Sequence, residues 1–168
     1  MPRPIVWACG LLAGAAVAGL GLGDRLDGLG LAPRPEASAA ASVAGDAVVV
    51  LSADLRGHYK VHPTVEGRTL AMMVDTGASA VALTYEDAEA AGIKVRPRDF
   101  TRPVGTANGM VSAAPVRIAE MRIGGIALTF VDALVLPQGR LGTSLLGMSF
   151  LKRLKGFEIA QGRLTLRG

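Results

Sequence analysis

Short apolar runs separated by glycine-containing turns fill residues 47–168, and this pattern limits the fold more than any other feature of the chain. Asn108-Gly109, Gly124-Gly125 and Gln161-Gly162 each lie between two such runs. Two-residue turns of this composition connect neighbouring antiparallel strands. The fold class expected for this part is therefore mostly β, arranged as a small, partly closed β-barrel.

One or two short helices are expected to interrupt the strands. Thr84 is followed three positions later by Asp87, which is typical of a helix start, and Gly92 ends the Ala- and Glu-rich segment between them. Residues 148–154 form the second expected helix. The strands on either side of these helices remain short, so the helices are minor parts of the predicted fold.

One loop of the predicted β domain carries a candidate reactive group. A strand over residues 69–74, joined to a strand over 59–65 by a turn at Gly67-Arg68, leads directly into Asp75-Thr76-Gly77-Ala78-Ser79. A buried strand of this kind holds the Asp75 carboxylate on a rigid base where a loop meets solvent. The Thr76 hydroxyl can form hydrogen bonds, and glycine at position 77 allows another backbone to approach closely. Asp and Gly are also ordinary turn residues, so a purely structural role stays open.

The remaining residue types restrict the chemistry to carboxylates. Cys9 is the single cysteine and lies in the N-terminal apolar run, which leaves no thiolate nucleophile and no disulfide in the folded part. His58 and His62 are four residues apart on one predicted strand, a spacing that can bring both to one metal ion, but no third His or Cys accompanies them. A half-exposed strand is the simpler interpretation. No metal and no other cofactor are expected.

Hydrolysis of an amide by water needs one group to accept a proton and another to donate one. The folded part has a single loop of the Asp75 kind. Two copies of Asp75 facing each other across the axis of a homodimer would provide both groups.

The first 46 residues have a different composition from the rest. Residues 4–23 contain no charge and are long enough to cross a bilayer as a helix, and Arg3 places the preceding end in the cytoplasm. A cleaved signal peptide is the alternative, since Ala16-Val17-Ala18 resembles a signal-peptidase site. Residues 24–46, rich in Gly, Ala, Pro and Ser, are expected to be a flexible tether. The predicted domains are thus 1–23, 24–46 and 47–168.

The net charge of +4 is modest and the basic residues are scattered along the chain. Nucleic-acid binding usually requires a focused basic face with interleaved aromatic residues. We therefore expect no nucleic-acid partner.

Three motifs in order resemble those of retropepsin-like aspartic proteases. Asp75-Thr76-Gly77-Ala78 is similar to the catalytic loop of that family, and Thr106-Ala107-Asn108-Gly109 falls where its flap hairpin lies. Leu145-Leu146-Gly147 is similar to the apolar-apolar-Gly element that supports the catalytic loop. Over residues 57–168 the chain is identified as a member of this family, of the bacterial, single-span, membrane-anchored type that resembles half of a pepsin.

The resemblance implies an aspartic endopeptidase that acts as a homodimer on peptide or protein substrates. Asp75 from each subunit would activate a water molecule, Thr76 would brace the two loops across the dimer axis, and Gly77 would lie against the substrate. Ser79 stands where retroviral enzymes carry a substrate-binding Asp, and Asn108-Gly109 replaces a glycine-rich flap tip, so both positions leave substrate recognition open. The resemblance also implies an inner-membrane anchor and a domain that faces the periplasm.

Two other interpretations stay open. A non-catalytic, membrane-tethered β domain that binds a peptide or acts as a scaffold would use Asp75 only to accept backbone hydrogen bonds. An enzyme active only as a membrane-bound dimer would look the same in dilute solution. Four apolar residues are expected to flank the substrate cleft of a protease, with core packing as the alternative for each: Val81, Met110, Val111 and Leu146.

Overall fold

The computed structural model describes residues 46–106 and 109–168, and these residues form a mostly β domain with two short α-helices. The strands are β1 (Val48–Ser52), β2 (Lys60–Val61), β3 (Thr64–Val65), β4 (Arg68–Thr69), β5 (Met72–Val74), β6 (Val81–Leu83), β7 (Arg102–Thr106), β8 (Gly109–Ile123), β9 (Ile126–Val135), β10 (Ser144–Leu146), β11 (Gly156–Ala160) and β12 (Arg163–Arg167). The helices are α1 (Tyr85–Ala90) and α2 (Met148–Leu151), and Pro97–Asp99 forms a 3-10 turn. The predicted membrane segment and residues 24–45 of the predicted tether lie outside the described residues. In the part that the structure describes, no helix has the length and apolar character needed to cross a bilayer.

Nine strands form one half-barrel sheet in the order β2-β5-β10-β6-β9-β8-β3-β4, with β7 paired to the first part of β8. The pairs β5–β10 and β6–β9 are parallel, whereas β6–β10 and β8–β9 are antiparallel. Because β10 lies between β5 and β6, the connection from β5 to β6 must pass over the end of β10. That connection is the segment that contains Asp75.

The two terminal parts of the domain form a separate small sheet in the order β1-β12-β11. Val49 faces Leu166, and Leu51 faces Leu164, so alternate residues of β1 and β12 point toward the core. Leu164 and Leu166 are fully buried. The predicted strands at 47–51 and 164–166 are present.

The core lies inside the half-barrel and beneath α2. Phe150 and Leu151 of α2 are buried with Leu83 of β6 and with Ile118 and Met121 of β8. A smaller apolar cluster on the side of β7 contains four buried residues: Ala82, Ala113, Leu134 and Leu136. Burial of these side chains is the main contribution to stability, at about 25 cal/mol for each Å² of apolar surface removed from water.

The Gly124-Gly125 and Gln161-Gly162 turns form where the pattern predicts them, whereas Gly109 already belongs to β8, where it faces Thr106. Ile123 faces Ile126 across Gly124-Gly125, and Ala160 faces Arg163 across Gln161-Gly162. The turn between β3 and β4 was expected at Gly67-Arg68, but Val65 faces Arg68, so its central residues are Glu66 and Gly67.

The displaced turn has a clear physical reason. Glu66 and Gly67 have φ values of 48° and 80°, as a hairpin turn of two residues requires, and glycine takes the second central position. Glu66 is also held from outside the turn, because its N–H donates to the Glu120 carbonyl (3.1 Å) and its carboxylate accepts from the Ala119 N–H. These contacts with β8 are not visible in the local sequence.

Both helices are present, but α2 is shorter than expected. The Thr84 hydroxyl accepts the Asp87 N–H at 3.0 Å, which confirms the predicted start of α1, and Gly92 follows its end with a φ of 76°. Residues 148–154 were predicted as a helix, whereas α2 ends at Leu151. The Arg153 and Leu154 N–H groups bond three residues back, to Phe150 and Leu151, so the chain tightens into a turn before β11 begins.

Candidate active site

The start of the Asp75 loop is fixed by backbone hydrogen bonds from Val74 and Asp75 to two different segments. The Val74 N–H donates to the Tyr59 carbonyl (2.9 Å), and the Asp75 N–H donates to the Leu146 carbonyl at the end of β10 (3.1 Å). The Gly77 N–H then donates to the Asp75 Oδ1 at 2.8 Å, which orients the carboxylate. A carboxylate held in this way needs little reorganisation to react.

Gly147 supports the loop by having no side chain. A Cβ atom built on Gly147 would lie 2.1 Å from the Ala80 carbonyl oxygen and 2.8 Å from the Ala78 carbonyl oxygen. The Met148 N–H donates to the same Ala78 oxygen at 2.8 Å. The backbone of the loop therefore rests directly on the residue that follows β10, which explains the glycine in Leu145-Leu146-Gly147.

Two serines, half-buried Ser149 and buried Ser144, connect the elements around the loop through their hydroxyl groups. Sequence reasoning missed both. The Ser149 hydroxyl accepts the Val81 N–H (2.8 Å) and donates to the Asp132 carbonyl (2.7 Å), so α2 is tied to β6 and β9. Fully buried Ser144 accepts the Thr84 N–H (3.0 Å) and donates to the Asp87 Oδ2 (2.5 Å). Their position on either side of Leu145-Leu146-Gly147 is the one feature of the sequence that distinguishes them.

A groove of about 500 Å³ opens beside the Asp75 carboxylate. Its walls come from the Asp75 loop, strand β7, the end of β9 and the loop at 136–142. The lining residues are Asp75, Gly77, Ala78, Ser79, Ala80, Ala82, Val104, Gly105, Thr106, Leu134, Leu136, Arg140, Leu141, Gly142 and Leu145. A mainly apolar groove with one oriented carboxylate is a common form of binding site.

The structure brings most of the predicted loop and flap residues together. Asp75, Gly77, Ala78 and Ser79 line the groove, and Thr76 is exposed beside them. From the predicted flap, Thr106 also lines the groove. Its hydroxyl donates to the Gly109 carbonyl at 2.8 Å, and Gly109 has a φ of 100°. Ala107 and Asn108 lie outside the described residues. Leu145 lines the groove, whereas Leu146 and Gly147 lie beneath the loop.

The four apolar residues expected to flank the cleft do not line the groove. Val81 and Leu146 are fully buried in the core. Met110, which is 73% exposed, and Val111 line a smaller cavity of about 60 Å³ beside the flap. Neighbouring residues take the predicted positions: Ala80, Ala82 and Leu145.

An offset of one residue explains this correction. Successive side chains of a strand point to opposite faces, so Ala82 faces the groove where Val81 faces the core. The same holds for Leu145 and Leu146. Sequence reasoning also missed Leu134, Leu136 and Arg140, which come from the end of a strand and a turn-rich segment far along the chain. Their place at or just after the end of a long apolar strand was the only sign of such a role.

The histidine pair is not part of the groove. The His58 Nδ1 lies 3.9 Å from the Asp54 Oδ2, and His62 is exposed. The backbone N–H groups of His58 and Arg56 both donate to the Asp54 carboxylate, and these bonds lower the pKa of Asp54 below its usual value. Among residues 46–106 and 109–168, no three His, Cys, Asp or Glu side chains lie close enough to hold a metal ion.

A half-barrel sheet that carries an Asp-Thr-Gly loop beneath a β-hairpin defines an aspartic-protease-like domain. Residues 61–153 match the family described as gag-polyprotein putative aspartyl protease. The chain is 36% identical to a retropepsin-like aspartic protease from Rickettsia conorii, whose crystal structure it matches with a TM-score of 0.67 over 73% of this chain and 92% of that one. The chain belongs to the retropepsin-like aspartic protease family.

The chain is also similar to a more distant retroviral protease and to two uncharacterized bacterial proteins. EIAV protease, solved in complex with the inhibitor HBY-793, shares the fold at 19% identity, with a TM-score of 0.51 over 66% of this chain and all of that one (100%). An uncharacterized protein in the cobV 5' region of a Sinorhizobium species is 46% identical over 123 residues, and an uncharacterized protein of Rickettsia prowazekii is 39% identical over 122. The matches cover 73% of this chain and 53% and 51% of those proteins, so the chain spans about half the length of these curated relatives.

Proposed function

We propose that this protein is an aspartic endopeptidase that hydrolyses peptide bonds with a water molecule activated by two Asp75 carboxylates, one from each subunit of a homodimer. The observation that carries the proposal is the oriented Asp75 carboxylate in the wall of the groove beneath the flap strand. Family membership supports the same chemistry.

The two carboxylates would divide the work of acid and base. Two carboxylates within hydrogen-bonding distance share one proton, because both cannot ionise so close together. The ionised one accepts a proton from water as the water attacks the scissile carbonyl carbon. The protonated one donates its proton to the carbonyl oxygen. The reaction needs no covalent intermediate, since water is the nucleophile.

The composition of the groove supports a second subunit. Within the described residues, Asp75 is the only carboxylate that lines it. Two other acids serve different purposes: the Asp87 carboxylate, in the first turn of α1, accepts from Ser144, and the side chain of Asp132 pairs with Arg117 on the surface. A second Asp75 therefore has to come from another copy of the chain, and two-fold symmetry is the usual way in which proteins arrange such a pair.

The same proposal includes a tether to the bacterial inner membrane and a protease domain on the periplasmic side. It is supported by the charge-free residues 4–23 and by Arg3 before them. Periplasmic exposure would make the domain sensitive to an added protease in spheroplasts. Protection until the inner membrane is lysed would contradict this location.

The mechanism can be tested by incubating the full chain, in detergent, with a diverse peptide mixture over a range of pH. Asp75→Asn removes the proposed acid and base and should lower the cleavage rate by roughly 10²- to 10⁴-fold. Asp132→Asn is the matched control, because its exposed ion pair with Arg117 contributes little to stability. Equal cleavage by the Asp75→Asn protein would contradict the aspartic mechanism. A folded, dimeric wild type that cleaves nothing would favour a binding domain.

A further inference from the structure

Arg140 places a positive charge in the wall of the groove. Of the lining residues that the structure describes, only Asp75 and Arg140 are charged. Arg140 is exposed, and none of the ion pairs among the described residues includes it. The rest of the lining is mainly Gly, Ala, Val and Leu. A guanidinium in such a wall favours a bound carboxylate over a neutral group, because it offers several N–H donors in one plane.

The backbone that carries Arg140 is fixed on both sides. The Arg140 N–H donates to the Pro137 carbonyl at 3.0 Å, and Gly139 between them has a φ of 72°, as in a type II turn. Before the turn, the Leu136 N–H donates to the Leu83 carbonyl at 3.0 Å. After it, Leu141 packs against the apolar cluster that includes Leu136. The side chain of Arg140 therefore starts from a rigid position.

Arg140 also lines a second, smaller cavity, which shares Thr106 and Arg140 with the groove. Together with Gly139 it lines the small cavity whose other walls are Thr106, Gly109, Met110 and Val111. A peptide bound between Asp75 and β7 would pass this side chain. Contact with the flap would exclude water there, and the attraction between opposite charges is stronger where water is excluded.

We propose that Arg140 is a specificity residue that selects an Asp or Glu side chain in the substrate. This inference rests on the proposed endopeptidase function and adds a substrate class to it. In a two-fold symmetric dimer each copy contributes one Arg140. The preference is therefore expected at two substrate positions, at equal distances on either side of the scissile bond.

The test uses the full chain and a library of peptides with amidated C-termini, so that side chains are the only carboxylates offered. At the selected positions, we expect the wild type to cleave acidic peptides about tenfold faster, in kcat/KM, than matched Asn or Gln peptides, which corresponds to about 1.4 kcal/mol. Added salt should weaken this preference. Arg140→Gln should abolish it, and Arg140→Glu should replace it with a preference for Lys or Arg. Arg98→Gln, an exposed change outside the groove, should leave it unchanged.

The outcomes separate the inference from the function on which it rests. Cleavage that depends on Asp75 but shows no acidic preference, or a preference that survives Arg140→Gln, would overturn the role of Arg140 and leave the protease intact. If no cleavage depends on Asp75, both the role of Arg140 and the proposed protease function are overturned. The reversed preference of Arg140→Glu is a gain that misfolding does not produce, so it would support the inference directly.

Discussion

At the residue scale, the candidate site depends on one position where any side chain is excluded. The Ala78 and Ala80 carbonyl oxygens lie so close to Gly147 that an added methyl group would overlap both. The obstacles are backbone atoms, which cannot rotate away as a side chain can. The requirement for glycine is therefore steric and is not a matter of φ, since Gly147 has an extended backbone (φ −96°, ψ −173°).

We expect Gly147→Ala to lower the free energy of unfolding by about 1–3 kcal/mol, the usual effect of overpacking, because the Asp75 loop must move. Peptide cleavage should fall as well, since the carboxylate moves with the loop. Urea denaturation measures the first effect. Gly156→Ala is the matched control: no atom lies within 4 Å of its added Cβ, so stability should change little. A stable and active Gly147→Ala protein would show that the loop does not need this contact.

At the element scale, β10 organises the site. Its three residues pair with β5 on one side, and Leu145 pairs with Ala82 of β6 on the other. These two strands deliver the two ends of the Asp75 loop. Ser144 joins β10 to α1 through the Thr84 N–H and the Asp87 carboxylate. This polar contact lies in the interior, since Ser144 is 0% exposed and Thr84 is 8% exposed. Buried polar groups of this kind are costly to leave without partners.

We expect Ser144→Ala to lower the free energy of unfolding by about 1–3 kcal/mol, because the buried Thr84 N–H loses its acceptor. Thermal or urea denaturation would measure the change. Thr143→Ala, at the exposed neighbouring position, should stay within about 0.5 kcal/mol of the wild type. Equal stabilities for the two variants would mean that water or a backbone shift replaces the Ser144 hydroxyl at no cost.

Turns and helix ends that are determined by neighbouring residues could be predicted from the sequence. The turns at Gly124-Gly125 and Gln161-Gly162 contain Gly124 and Gly162, which take positive φ values (54° and 72°) that glycine adopts without steric cost. Thr84 caps α1 through a bond three residues away. The Glu66-Gly67 turn was displaced by one residue because its position depends also on contacts with β8. Local patterns therefore located the strands but not every register.

The Asp75 loop could also be predicted, but most of its surroundings could not. Asp75 lies at the end of a short apolar strand, which is visible locally. Whether Val81 or Ala82 faces the groove depends on the curvature of the sheet. The sequence pattern does not determine which of these two alternating residues points to the groove. Leu134 and Arg140 reach the groove only through the pairing of β9 with β6 and β8. Nothing near Asp75 in the sequence indicates them.

At the scale of the whole molecule, the proposed chemistry requires two copies of the chain. One copy presents one carboxylate to a groove that is otherwise mainly apolar within the described residues. An enzyme built in this way has its activity linked to the association of its subunits, so specific activity should depend on protein concentration. A pair of chains with one altered Asp75 would hold a single carboxylate, and a single carboxylate cannot serve as acid and base together.

Mixing wild type with an excess of a tagged Asp75→Asn protein tests this directly. If subunits pair at random and only pairs with two intact Asp75 residues cleave, about a ninefold excess leaves roughly a tenth of the activity per wild-type chain, because most wild-type chains then have an altered partner. Native mass spectrometry of the mixture verifies that mixed pairs form. An equal excess of tagged Asp132→Asn protein should cause no loss. Unchanged activity in the presence of mixed Asp75→Asn pairs would show that one chain carries a complete site, and the second proton-transferring group would then have to be found within the same chain.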